Sequence, residues 1–201
     1  MARSADRMSN TGMDLGDALE AVVTVGAGRG FIVGMGHQRF IITAAHCLPE
    51  LPPPGDIFTE ERTYWHLLAR LNNPPSIPAE CFFVDPVADL AVLGSPDNQV
   101  FFDEADAFDD LVDSVTALNI AAAKDGEAWM LSLEGVWAPC VLRVPAAAHW
   151  MGSIHVENFQ SGIDVGMSGS PIISPTGETV GAICSATVTG PSDLDKGAQW
   201  L

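Results

Sequence analysis

Gly166-Met167-Ser168-Gly169-Ser170-Pro171 sets a serine among glycines, shortly before a proline. A serine hydroxyl is a poor nucleophile at neutral pH. A reactive one needs a base within hydrogen-bond reach, a third group to orient that base, and donors for a developing oxyanion. Gly166, without a side chain, lets its backbone N–H approach an incoming carbonyl closely, and Gly169 permits a tight turn that presents Ser168 outward. Pro171 and Pro175 rule out the helix that follows the serine in a nucleophile elbow.

Upstream, two further stretches supply the missing parts. Thr43-Ala44-Ala45-His46-Cys47 offers a base, and Asp89-Leu90-Ala91-Val92-Leu93 a carboxylate at the head of an apolar run. Alone, His46 reads as an ordinary structural histidine, Asp89 as a strand-end charge and Ser168 as a loop serine. Together they stand in the order His, Asp, Ser, which separates the chain from the hydrolase and subtilisin layouts.

Runs rich in branched and aromatic residues, bounded by glycine, proline or asparagine, predict strands at 22–25, 31–33, 39–43, 64–70, 80–84 and 89–93. A second set is predicted at 127–132, 135–144, 153–159, 171–174 and 178–186, with 195–201 packed back as a terminal turn. No sequence repeat relates the halves. Gly26, Gly28, Gly30, Gly34 and Gly36 punctuate a hairpin and do not form a dinucleotide fingerprint, because no amphipathic helix follows. Many short strands with almost no helical periodicity indicate an all-β barrel or sandwich.

The three motifs in this order resemble those of the trypsin-like (chymotrypsin-fold) serine peptidases, particularly the bacterial branches that work without zymogen activation. The resemblance covers most of the chain. It implies an all-β fold of two six-stranded antiparallel β-barrels with the active site in the cleft between them. Residues 1–17 would be a mobile arm, 18–110 the first barrel with His46 and Asp89, and 111–201 the second with Ser168. The implied activity is a serine endopeptidase that cuts a protein or peptide substrate through an acyl-enzyme, without a cofactor. His46, Asp89 and Ser168 would be catalytic, and the N–H groups of Gly166 and Ser168 would form the oxyanion hole. Gly162, Ile163, Val165, Cys184 and Ser185 would line a small apolar substrate pocket. Cys184 or Ser185 also falls where many members place a serine that hydrogen-bonds the aspartate. A protease-fold protein that is catalytically silent and binds a partner is the competing reading.

Two positions depart from the family pattern. Zymogen-activated members carry an acid immediately before the nucleophile, where this chain has Met167, which reads as a packing residue. Secreted animal members bridge the cysteine after the histidine to one upstream, at a place where this chain offers Phe31 or its neighbours, so Cys47 lacks that partner.

Composition narrows the partners. With 47% hydrophobic and 17% charged residues, the 201-residue chain is ordered and long enough for one substantial core or two small ones. Its net charge of −17 disfavours nucleic acid and anionic membrane surfaces. The acids at 103–113 read as a solvated segment between the halves. No secretory leader or apolar run of the ~18 residues needed to span a membrane is visible, which points to a soluble cytoplasmic protein of unassigned oligomeric state. Cys47, Cys81, Cys140 and Cys184 are too widely spaced for a zinc or dithiol motif and read as free buried thiols. His37, His66, His149 and His155 likewise have no ligand spacing, so no metal is expected.

Overall fold

The branched and aromatic runs pair into two rings of strands. The computed structural model describes residues 14–53, 58–144, 153–184 and 196–199. The first ring contains β1 (Val22–Val25), β2 (Gly28–Met35), β3 (Gln38–Ala44), β4 (Thr63–Arg70), β5 (Ile77–Asp85) and β6 (Leu90–Gly94). Its spatial order is β1-β2-β3-β6-β5-β4, closed by antiparallel pairing of β4 with β1. The second ring contains β7 (Gly126–Leu131), β8 (Trp137–Arg143), β9 (Ser153–Glu157), β10 (Pro171–Ile173), β11 (Thr179–Ala182) and β12 (Lys196–Gln199). Its order is β7-β8-β9-β12-β11-β10, closed by β10 against β7, so both barrels follow one topology despite the absence of a sequence repeat.

Closure buries apolar side chains inside each barrel. Val23, Val25, Phe31, Ile41, Leu68 and Leu93 are among the buried residues of the first core, and Met130, Leu142, Ile154, Val156, Ile172 and Val180 of the second. In β2 the run from Gly28 to Val33 is buried on both faces. Such two-sided burial suits a strand covered by neighbouring structure outside its barrel as well as within it. The connection between the barrels is stitched to both: Leu118 N–H donates to Ile32 O, while Ala121 N–H donates to Thr179 O and Thr179 N–H to Asn119 O.

Three local readings are corrected. The acidic stretch is a helix, α3 (Phe102–Asp113), not an open solvated segment; the single turn α2 (Thr59–Arg62) leads into β4. Ala105, Phe108, Leu111 and Val112 recur at helical spacing and are buried, while the acids occupy the outer face. Asp103 and Glu104 lie in its favourable first turn, and Asp113 at the unfavourable end pairs with Arg39 at 3.1 Å. Residues 196–199 form β12, a barrel strand between β11 and β9, where a terminal turn was expected. Residues 15–17, expected within the arm, begin α1 (Leu15–Glu20), capped by Asp14 and tied to β8 by Trp137 Nε1–H donating to Leu15 O at 2.9 Å. The remainder of the expected arm, 1–13, lies outside the described residues.

Candidate active site

β3 ends at Ala44, and Ala45–Cys47 turn in a single 3-10 coil that puts His46 just past the strand. Across the sheet, Asp85 Oδ1 accepts from Val87 N–H and Ala88 N–H and so builds the turn that delivers Asp89. Asp89 adopts a left-handed backbone (φ 54°), which aspartate tolerates better than most residues. It grips the histidine turn through both backbone and side chain. Its carbonyl accepts from Ala45 N–H at 3.0 Å, its Oδ1 from His46 N–H at 2.9 Å, and its Oδ2 lies 2.6 Å from His46 Nδ1. An ionised carboxylate only accepts, so the proton of neutral His46 sits on Nδ1 and Nε2 keeps its lone pair. The ring is half-exposed and free to receive a proton at that nitrogen.

Ser168 belongs to the second barrel but is fastened to the first. Its carbonyl accepts from Arg29 N–H at 2.7 Å and lies 3.7 Å from Cys47 Sγ, in the turn that carries His46. Gly169 makes this approach feasible. Its φ is +80°, and a Cβ there would overlap Arg29 O and lie 2.7 Å from Thr43 Oγ1. Its N–H donates to Ile183 O at 2.5 Å. Opposite, a Cβ at Gly28 would lie 2.5 Å from Cys47 Sγ and 2.8 Å from Ser168 O. Gly28, rather than Phe31, therefore stands against Cys47; Phe31 is buried in the ladder between Val22 and Ile42.

Gly166 has φ +96°, again a backbone that favours glycine. Met167 N–H donates to Asp164 O and Ser170 N–H to Met167 O, whereas the N–H groups of Gly166 and Ser168 have no partner among the described residues. Met167 is fully buried in the second core and its sulfur accepts from Asp164 N–H at 3.3 Å, as a packing residue should.

The expected pocket residues do not share one environment. Gly162 (φ 72°) and Ile163 are half-buried, Ile163 against the second core, whereas Val165 is 94% exposed. Cys184 is buried, its thiol pushed up to about 12 chiefly by desolvation and further by the Asp89 charge. Ser185 lies outside the described residues. All four cysteines are free and buried. Burial also raises the Cys140 thiol to about 12 and the Cys81 thiol to about 11.

Sequence reasoning missed Arg29, which is 3% exposed beside Ser168 and reaches into the second barrel. Its only local signal was a charge inside the run Gly28-Arg29-Gly30-Phe31-Ile32-Val33, the reverse of what a buried strand calls for. A cavity of about 370 Å³ opens beside it, bordered by Ala27, Gly28, Arg29, Asn73, Leu133 and Gly166.

Residues 28–181, from the strand that holds Ser168 O to the second barrel's β11, match the trypsin-like peptidase domain. The chain belongs to that family. This trypsin-like peptidase domain shares its fold with several solved proteases. The Rv3671c protease from M. tuberculosis, in an inactive form, aligns over 92% of this chain and 86% of its own with a TM-score of 0.54 and 15% identity. The MamO protease domain from Magnetospirillum magneticum aligns over 92% and 94%, with a TM-score of 0.53 and 16% identity. A serine endoprotease from Yersinia pestis aligns over 95% of this chain and 64% of its own, with a TM-score of 0.54 and 15% identity. No curated protein matches in sequence. Among the described residues, no helix is long and apolar enough to cross a membrane.

Proposed function

We propose that this trypsin-like peptidase domain is a serine endopeptidase acting on protein or peptide substrates through His46, Asp89 and Ser168. The observation that carries the reading is the double hold of Asp89 on His46, backbone and ring, in a turn that also touches the Ser168 peptide. A carboxylate spent on fixing one imidazole tautomer serves a base that must accept a proton at Nε2.

In this mechanism Ser168 Oγ attacks the scissile carbonyl carbon as its proton passes to His46 Nε2. The carbonyl π electrons move to oxygen, and the N–H groups of Gly166 and Ser168 receive the oxyanion. Collapse expels the leaving amine, which takes the proton from His46, and leaves an acyl ester on Ser168. Water then repeats the sequence, giving its proton to His46 and releasing the acid. Asp89 stabilises the imidazolium at both stages. The segment carrying Gly162, Ile163 and Val165 borders the substrate side chain, with exposed Val165 available to it. This arrangement fits a small apolar side chain.

A fluorophosphonate probe tests the reading without knowledge of the substrate. Wild-type protein should label stoichiometrically, and Ser168→Ala should not. Equal labelling of the two, or none of either, would leave the fold as a partner-binding module.

A further inference from the structure

Arg29 is a buried charge with an unusual set of attachments. Its guanidinium crosses from the first barrel to donate to Ser132 O and Leu133 O, each at 2.8 Å, in the turn between β7 and β8. That turn is already closed by Ser132 N–H to Val136 O and Gly135 N–H to Ser132 O, so Arg29 is not needed to form it. Desolvation lowers the pKa of the guanidinium, partly offset by the Glu134 carboxylate. A buried cation held mainly by neutral carbonyls stabilises a fold weakly, and an apolar side chain of similar volume is often as good. What Arg29 supplies is placement.

Leu133 carries that placement forward. Its Cδ1 lies 3.4 Å from where a Cβ would stand on Gly166, so the side chain abuts the Gly166 peptide. The backbone N–H of the same Arg29 holds Ser168 O at 2.7 Å. One residue thus fixes Ser168 directly and Gly166 through Leu133, while buried Met167 between them brings no charge to anchor the loop.

We infer that Arg29 is a positioning residue that presets the Gly166–Ser168 loop for oxyanion binding, acting through Leu133. The inference rests on the reading of the Gly166 and Ser168 N–H groups as oxyanion donors. It predicts that the loop is held from the first barrel, independently of any newly cut N-terminus.

The test compares wild type, Arg29→Met, Arg29→Lys and Leu133→Ala in the full chain by two measurements. Hydrogen exchange reports the loop whether or not the protein is active; fluorophosphonate kinetics report its use. In Arg29→Met, exchange should accelerate in segments 131–136 and 162–169 while the first-barrel strands keep their protection. The first-order inactivation constant should fall at least tenfold, with the probe's binding constant little changed. Arg29→Lys, with one point charge for a fork, should fall between. Leu133→Ala alters a half-exposed side chain and should reproduce the faster exchange at 162–169 even if Arg29→Met does not fold. Unchanged exchange at 162–169 in Leu133→Ala and in whichever Arg29 variants fold would overturn the inference, as would an inactivation constant that stays at the wild-type value. If wild type itself does not label, the protease reading fails, and the exchange comparison alone decides whether Arg29 positions the loop.

Discussion

Asp89 binds His46 twice, Oδ1 accepting from the backbone N–H at 2.9 Å and Oδ2 lying 2.6 Å from the ring Nδ1. The pairing sets both where the turn sits and which tautomer it carries.

Asp89→Asn separates these two effects. An amide can still accept from His46 N–H through its oxygen, so the turn and the fold persist. Its NH2 then faces Nδ1 and stabilises the tautomer with the proton on Nε2, which cannot accept one from Ser168. Fluorophosphonate labelling should fall by about 10⁴-fold, with a melting temperature close to wild type. A labelling rate near wild type would place the base elsewhere.

Gly169→Ala should be among the most damaging small substitutions in the chain. The residue has φ +80°, and its added methyl would overlap Arg29 O. Backbone strain and steric conflict add, for a loss above about 3 kcal/mol in denaturant unfolding. Gly36→Ala supplies the control: φ is +64°, but a Cβ meets nothing within 4 Å. Only the backbone term applies there, about 1 kcal/mol. Equal losses at the two sites would mean the barrels are not in contact at Gly169.

Alkaline pH should erode stability through the buried thiols. Cys140 and Cys184 are raised to about 12 by burial, against about 8.5 for an unfolded thiol. The unfolded chain therefore loses protons that the native state retains. Stability is full below about pH 8.5 and declines through the interval up to about 12, by roughly 1 kcal/mol per pH unit for each thiol. Cys140→Ala should flatten the melting temperature's dependence on pH between 9 and 11, and at pH 8 a thiol reagent should reach none of the four cysteines before unfolding. A pH slope in Cys140→Ala identical to wild type would mean that thiol does not contribute.

The extent to which this architecture could be read from the chain follows the range of the interactions involved. The turns around His46 and Ser168 are local, so their residues cluster in sequence, and strands such as β3 and β4 carry dense branched or aromatic residues. Helix α3 was obscured because six acids surround the inward set of Ala105, Phe108, Leu111 and Val112. Strand β12, Lys-Gly-Ala-Gln, contains no branched or aromatic residue and exists only because its neighbours β11 and β9 leave a place in the ring. Arg29 is meaningful only against Ser132 and Leu133, more than 100 positions away, and Gly28 only against Cys47 and Ser168. Those relationships are set by how the two barrels meet, which no local pattern encodes.

Helix α1 gives the last prediction, because it joins the chain's first described residues to the second barrel. Trp137 Nε1–H donates to Leu15 O at 2.9 Å, Ala18 is buried, and Leu15 packs on the first core. Compared with a chain beginning at Asp14, one beginning at Ala21 loses that hydrogen bond and the packing of Leu15 and Ala18. The combined loss is about 2 kcal/mol, a fall of about 4–8 °C in melting temperature for a domain of this size. Neither truncation touches His46, Asp89 or the Gly166–Ser168 loop, so probe labelling measured well below the melting temperature should be the same for both. A gain in labelling on removing α1 would show that the helix restrains the cleft. A loss without a fall in melting temperature would show that α1 supports the site itself.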